Sequence, residues 1–263
     1  MEQMSDSEMI ANYHTHTYRC GHARGADREY VETAILRGLK VLGFSEHVPM
    51  PFVDGHESGF RVPRRLLEDY VQCVLDLKRE YAGDIEIHLG FEAEYYPDLW
   101  ERMKAMLSPY PVEYLILGQH FPDSREVTYG AVPQSSRQEL AAYAAAAVAG
   151  MRSGHFSYLA HPDLFCFTGS EAAYREEMGK ICQAARETGT PLEINLLGLR
   201  DKRTYPEPIF WELAAREGCR VVLGCDAHDP KDVARPENVA EGYALARRFG
   251  LEPEGTVDLL PPF

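Results

Sequence analysis

Seven short apolar runs, separated by stretches with helical periodicity, end in phase with ionisable side chains, and few folds can use such an arrangement. The runs cover 9–11, 41–45, 85–94, 114–118, 156–160, 191–195 and 220–225. The first leads into His14 and His16, the second into Glu46-His47, and the third carries Glu92. His120, His161 and Asp226-Ala227-His228 follow the fourth, fifth and seventh. Only the sixth, ending at Asn195, lacks a His, Asp or Glu. Strands alternating with helices make a parallel α/β sheet. In an α/β barrel every strand delivers its carboxyl end to one face, where barrel enzymes build their sites. Polar residues scattered at random would not keep that phase.

The stretches between the runs read as helices. A stripe of Tyr30, Val31, Ala34, Ile35 and Leu39 marks 27–40, and Pro63 opens another helix that runs to Tyr81. Further helices are expected over 97–107, 208–216 and 236–249, the second with Gly218 as its C′ residue. Ser136-Arg137-Gln138-Glu139 reads as a capping box before an alanine-rich helix reaching Met151, and Ser170 as the cap of a helix to Glu187. In the third run Ile85, Ile87, Leu89, Phe91 and Ala93 share one face, which leaves Glu92 facing into a barrel near its rim. At 263 residues the chain suits one α/β barrel, and a single domain over 1–263 is expected.

A net charge of −14 speaks against a nucleic-acid partner, because phosphate backbones are held by clustered Lys and Arg. No apolar run is long enough to span a membrane, and residues 1–8 are acidic and polar, unlike an export signal or anchor. The six cysteines show no zinc-finger or Cys-x-x-Cys spacing and read as reduced, buried small hydrophobes, with Cys20 singled out because it adjoins the first histidines. A cytoplasmic protein is the expectation.

Collected, the strand-end groups are His14, His16, His22, His47, Glu92, His120, His161, Asp226 and His228. Seven imidazoles and two carboxylates form a nitrogen-rich set, which favours zinc, iron or manganese over magnesium or calcium. Nine ligands exceed the needs of one ion, whereas three ions sharing a bridging carboxylate would use them all. Neighbouring ions can lower the pKa of a shared water and clamp the oxygens of an in-line displacement.

With His14-Thr15-His16, His22, His47, Gly90-x-Glu92, His120, His161 and Asp226-Ala227-His228, the chain resembles the PHP (polymerase and histidinol phosphatase) superfamily over nearly its whole length. Cys20-Gly21-His22-Ala23, Glu46-His47-x-Pro49-Met50, Gly90-Phe91-Glu92, Glu193-Ile194-Asn195-x-x-Gly198-Leu199-Arg200 and Tyr205-Pro206 resemble its HisK-type histidinol-phosphatase branch. The resemblance implies a distorted (β/α)7 TIM-like barrel with three divalent metal ions and phosphomonoester hydrolysis, L-histidinol phosphate giving L-histidinol and phosphate in histidine biosynthesis. It implies that His14, His16, Glu92 and Asp226 hold a first ion, that Glu92 bridges to a second held by His120 and His161, and that His22, His47 and His228 hold a third. A hydroxide between the first two would be the nucleophile. An arginine after the sixth run would bind phosphate, Arg200 first and Arg203 behind it, since a guanidinium offers a planar fork of donors. Gln119, Pro162 and Arg24 depart from the usual pattern; they adjoin the cage and bear on the substrate more than on the reaction.

Other readings stand beside these. His56, His88 and His155 match no motif, and His88 reads as a hydrogen-bonded core residue. Asn195 is a candidate substrate contact or a loop-backbone partner, and Arg200 could pair with Asp201. The loop over 51–61 is a candidate lid. Asp163, Glu94 and Asp54 are candidates for receiving a substrate ammonium. The alternatives to a histidinol-phosphatase are a phosphoesterase acting on another small ester or nucleotide, and a non-catalytic metal-binding module.

Overall fold

Tyr114 lies across the inside of the sheet because two neighbouring strands carry no side chain where it passes. A Cβ at Gly43 or Gly90 would overlap its ring or hydroxyl. That hydroxyl donates to the carbonyls of Tyr13 (2.8 Å) and Phe44 (3.1 Å), so one side chain ties three strands together.

The structure is a computed structural model describing residues 8–263; the reading of 1–8 as unlike an export signal or anchor falls, but for Glu8, on residues that lie outside the described ones. Four parallel strands come first: β1 (Ala11–Asn12), β2 (Val41–His47), β3 (Glu86–Ala93) and β4 (Tyr114–Leu117). Their connections hold α1 (Asp27–Leu36), α2 (Leu67–Glu80) and α3 (Trp100–Leu107). After α4 (Arg137–Ser153) and α5 (Glu171–Thr188) come β5 (Leu192–Asn195), α6 (Leu196–Arg200), α7 (Pro208–Glu217) and β6 (Val221–Gly224). α8 (Pro236–Arg248) and β7 (Pro253–Glu254) complete the chain. Leu159 bridges Leu117 on one side and Leu192 on the other, and Thr15 bridges Ala227, so the curled sheet returns to its first strand. This is the parallel α/β arrangement expected from the strand phase, curled into the distorted barrel that the resemblance implied.

The fifth expected strand, 156–160, is reduced to that bridge. Ser157 N and Ala160 N still donate to Leu115 O and Leu117 O at 2.9 Å each. His161 then turns to φ 33° and Pro162 has no N–H, so pairing stops there. α1 ends at Leu36 rather than Lys40, because Gly38 takes φ 83° and lets Leu39 N reach Ala34 O at 3.0 Å. The capping box before α4 is half formed: Ser136 accepts from Glu139 N, but the Glu139 carboxylate takes the Thr128 hydroxyl. Two elements went unread in the sequence, α6 and the short β7 that pairs with β6.

Alternation divides the core. Ile87, Leu89, Phe91 and Ala93 pack outward on the helices, while Tyr13, Tyr114, Ile116, Tyr158 and Val222 fill the barrel, with Val257 of the C-terminal segment against them. His88 sits in this lower half, hydrogen-bonded through Nδ1 to Glu113 (3.1 Å) as read. Among the described residues no helix is long and apolar enough to cross a membrane. Gly90→Ala, which forces a methyl into the Tyr114 ring, is expected to destabilise the fold by about 1–3 kcal/mol in urea unfolding; an unchanged midpoint would show that the ring can shift freely.

Candidate metal centre

Glu92 is the register partner of His47 and points into the barrel mouth. Its two oxygens face different neighbours. Oε2 lies 3.5 Å from His14 Nε2, 3.4 Å from His16 Nε2 and 3.0 Å from His47 Nδ1. Oε1 lies 2.7 Å from His161 Nε2 and 3.5 Å from His120 Nε2. Asp226 Oδ1 also approaches the first pair of histidines, 3.5 Å from His14 Nε2 and 3.3 Å from His16 Nε2. His228 stacks on His16 with centroids 4.2 Å apart, and its Nε2 faces that of His22 at 3.0 Å. His22, placed on a loop rather than at a strand end, therefore joins the rest. All nine sequence-selected residues meet at one rim.

The arrangement fits metal ligation better than hydrogen bonding. His14 Nε2, His16 Nε2, His47 Nδ1, Glu92 Oε2 and Asp226 Oδ1 are all buried without a hydrogen-bond partner, a concentration protein interiors do not normally tolerate. Ligand atoms around a tetrahedral ion, with bonds of about 2.1 Å, stand roughly 3.4 Å apart. The four separations between His14 or His16 and the carboxylates of Glu92 or Asp226 are 3.5, 3.5, 3.4 and 3.3 Å. Hydrogen bonds would bring such pairs to about 2.9 Å. Donor atoms also gather within 4.8 Å in His47/Glu92/His120 and in His16/His47/His228, so His47 reaches both the shared carboxylate and the His228 side.

A second layer of carboxylates aims the imidazoles. Glu193 Oε1 takes His14 Nδ1 at 2.7 Å, Glu46 Oε1 takes His16 Nδ1 at 3.2 Å, and Glu94 Oε1 takes His120 Nδ1 at 2.8 Å. Each leaves Nε2 turned to the cage, the usual way a protein fixes a ligand histidine's tautomer. Glu46 is itself held by Thr17 N at 2.7 Å, and Glu193 by His161 N at 3.0 Å and Asn195 Nδ2 at 2.8 Å. Two glycines make room: a Cβ at Gly118 would overlap Glu92, and one at Gly224 would overlap Glu193.

Charge settles accordingly. Burial alone would push His14 and His16 down, but the carboxylates win: Glu193, Asp226 and Glu92 raise His14 well above its ordinary value, and Asp226 and Glu46 raise His16 to about 9. Burial works to raise Glu92 and Asp226, yet the histidines facing them hold both carboxyls well below the usual range. His47 is lowered by burial and by His16, and His22 falls to about 4 through desolvation and the neighbouring His228. The buried Cys20 thiol donates to Thr17 O at 3.2 Å, and burial pushes its pKa up, which keeps it protonated. His161 (φ 33°) and Asp226 (φ 46°) both occupy the left-handed region, a conformation non-glycine residues hold only where surroundings impose it.

The cage forms the floor of a cavity of about 590 Å³. Arg200, Asp201 and Arg203 line it, as do Phe60, Phe121 and Tyr129. Arg200 pairs with Asp201 (2.8 Å) and Asp232 (3.0 Å), and Arg203 donates to the Tyr205 hydroxyl at 3.0 Å. Asn195 does not line the cavity. It is buried, with Nδ2 on Glu193 and, at 3.1 Å, on Asp226 Oδ2, while Oδ1 accepts from Gly198 N at 2.9 Å and caps α6. Of the two readings of Asn195, substrate contact or loop-backbone partner, its observed bonds are those of the second, with added support to Glu193 and Asp226. Asp163 (bonded to Glu207 N and Trp211 Nε1), Glu94 (to His120 and Arg61) and the exposed Asp54 also lie outside the cavity lining. Of the expected lid, Phe60 enters the cavity and Arg61 is buried, whereas Asp54, His56 and Glu57 are exposed. The aiming roles of Glu46, Glu94 and Glu193 are not among the expectations from the sequence. A glutamate at inward parity within an apolar four-residue strand was the available sign for Glu193; for Glu46, which turns back to Thr17, the sequence carries none.

A PHP domain model matches residues 12–196, well over half of the chain. The chain belongs to the PHP domain family. Among its PHP relatives, the histidinol-phosphatase of Bacillus subtilis is 28% identical over 254 residues, covering 84% of this chain and 94% of the relative. A protein of Deinococcus radiodurans described as a probable histidinol-phosphatase is 29% identical over 238 residues, covering 85% and 88%. In structure, the chain is similar to the histidinol phosphate phosphatase of Lactococcus lactis, which was solved with zinc, L-histidinol and phosphate. That match has a TM-score of 0.71 at 20% identity and covers 95% of this chain and 99% of the other, which establishes the shared barrel.

Glu193→Gln removes the charge behind His14, and Gly224→Ala displaces the same carboxylate by sterics. In this PHP chain both are expected to weaken zinc retention about 10–100-fold in competition with a chromophoric chelator. Retention equal to that of the parent protein would show that Glu193 does not support the cage.

Proposed function

We propose that this PHP chain is a metal-dependent phosphomonoesterase that hydrolyses L-histidinol phosphate to L-histidinol and phosphate, in the cytoplasm and within histidine biosynthesis. The observation that carries the reading is the two-faced Glu92 carboxylate. One oxygen serves His14 and His16 and the other serves His120 and His161, on the floor of a cavity that also presents two arginines. The named relatives support the choice of ester.

In this reading His14, His16, Glu92 and Asp226 hold one divalent ion, Glu92, His120 and His161 a second, and His22, His47 and His228 a third, with zinc, iron or manganese suited to the donors. Bound there, the ions supply Lewis acidity, lowering the pKa of water and offsetting phosphate charge. The chain's own groups do the rest. Glu92 and Asp226 arrive at the rim already ionised, held so by the histidines. Asn195 fixes the outer oxygen of Asp226 and, by capping α6, sets the helix that ends in Arg200. Arg200 and Arg203 receive the phosphate oxygens, where a guanidinium fork gives direction as well as charge.

Phosphate release from a panel of monoesters tests the substrate. L-histidinol phosphate is expected to exceed sugar and nucleotide phosphates by at least about a hundredfold in kcat/KM; the opposite ranking would assign the site to another small ester. Exhaustive chelation is expected to abolish turnover and zinc or manganese to restore it. Turnover that survives complete metal removal would defeat the metallophosphatase reading, and bound metal without turnover on any monoester would point to a binding module instead.

A further inference from the structure

A second cavity, of about 350 Å³, adjoins the first and shares His22, His228, Arg200 and Asp201 of its wall. Arg24, Asp229, Lys231, Asp232 and Arg235 belong to the second alone. The three aspartates of this lining are already matched. Arg200 takes Asp201 at 2.8 Å and Asp232 at 3.0 Å, and Lys231 takes Asp229 at 3.0 Å. Arg235 pairs outside the wall, through Nε with Glu237 at 3.0 Å. The Arg24 guanidinium makes no hydrogen bond or ion pair among the described residues. With 41 Asp and Glu against 27 Lys and Arg in the chain, it does not stand alone for want of acidic groups.

The backbone beneath that charge is pinned. Arg24 N donates to His228 O at 2.9 Å, and Arg24 O accepts from the Tyr30 hydroxyl at 2.7 Å. Gly25 follows at φ 87°, where a Cβ would strike the Pro230 ring at 2.6 Å, so this turn lies flush against the segment after His228. His22 and His228 add to the local field. The ion that the proposed function gives them, together with His47, has only neutral imidazoles as donors, so the chain offsets none of its charge there.

We propose that this second cavity is a subsite for a second oxyanion, a phosphate or a carboxylate, held by Arg24 with Lys231 and Arg235 beside it. A guanidinium with its donors free presents the planar fork that such groups accept. The subsite is separate from the phosphate position given to Arg200 and Arg203, and Arg200 belongs to both walls. Two occupants carry this chemistry: free inorganic phosphate, and a second anionic group on an ester whose first phosphate is at the cage. Arg24, one of three departures from the family pattern, thereby acquires a role outside the cage itself.

Inorganic phosphate, titrated calorimetrically into the metal-loaded protein at low salt, is expected to fill two sites per chain. One of them is expected to weaken about tenfold or more in Arg24→Glu while the other is kept. The Arg24 side chain is exposed and holds nothing in the fold, so the variant keeps the parent's urea midpoint. A parent that takes a single phosphate, or two sites untouched by the substitution, would overturn the subsite whether or not any ester is hydrolysed. Arg65→Glu makes the same charge change at an exposed position outside both linings, and an equal loss there would overturn it too. A second arm, which rests on the phosphomonoesterase reading, identifies the occupant from kcat/KM for O-phospho-L-serine and O-phosphoethanolamine, which differ by one carboxylate. A ratio that falls about tenfold in Arg24→Glu assigns the subsite to the ester's second anion. An unchanged ratio, with the second phosphate ion still lost, assigns it to free phosphate.

Discussion

Two carboxylates and seven imidazoles share one rim, and the fold answers to their mutual attraction. Each buried Glu or Asp there would be expensive alone, and removing one member of such a cluster typically costs about 3–5 kcal/mol through the charge left behind. The barrel meets this demand by geometry. β2 and β3 are in register so that His47 and Glu92 lie side by side, and Thr15 bridges Ala227 so that the His14–His16 pair faces Asp226. Gly118 and Gly224 withhold the methyl groups that would displace Glu92 and Glu193. Both sit at the carboxyl ends of their strands, Gly118 just after β4 and Gly224 as the last residue of β6. Here the absent side chain is what admits a carboxylate.

Much of this was legible beforehand, and the reason is parity. Along a strand, side chains alternate, so Glu92 among Ile87, Leu89, Phe91 and Ala93 declares its face without any structure. The recurrence of ionisable groups at strand ends declares the rim. What parity cannot supply is the orientation of long side chains after the strand has ended. Glu46, with outward parity, turns back to hold Thr17 and His16; Asn195 looks like a substrate contact yet is fully engaged by Glu193, Asp226 and Gly198. The fifth strand was over-read for a related reason. Its apolar pattern is genuine, but His161 leaves extended geometry to place its ring against Glu92.

The backbone departures at His161 and Asp226 show where local preference gives way to the site. Left-handed φ in a histidine and an aspartate needs surroundings that impose it. For His161 they are visible: its N–H is taken by Glu193 while its ring is taken by Glu92. For Asp226 they are Asn195 on one oxygen and the His14–His16 pair on the other. Glu193 and Asn195 occupy successive inward positions of β5, which ends without an ionisable rim residue. That strand contributes the scaffold on which its neighbours' groups are hung.

The same economy extends outward from β3. Glu94 aims His120 with one oxygen and receives Arg61 with the other, and Arg61 in turn fixes two loops. A loop of the 51–61 kind is ordinarily free to vary and to move. Tied by a buried ion pair to a residue that also orients an imidazole of the cage, it cannot shift without disturbing that imidazole. The shape of the cavity wall and the geometry of its floor are in this way one mechanical object, and a change made for the sake of a different leaving group would have to preserve the Arg61–Glu94–His120 relation to leave the chemistry intact.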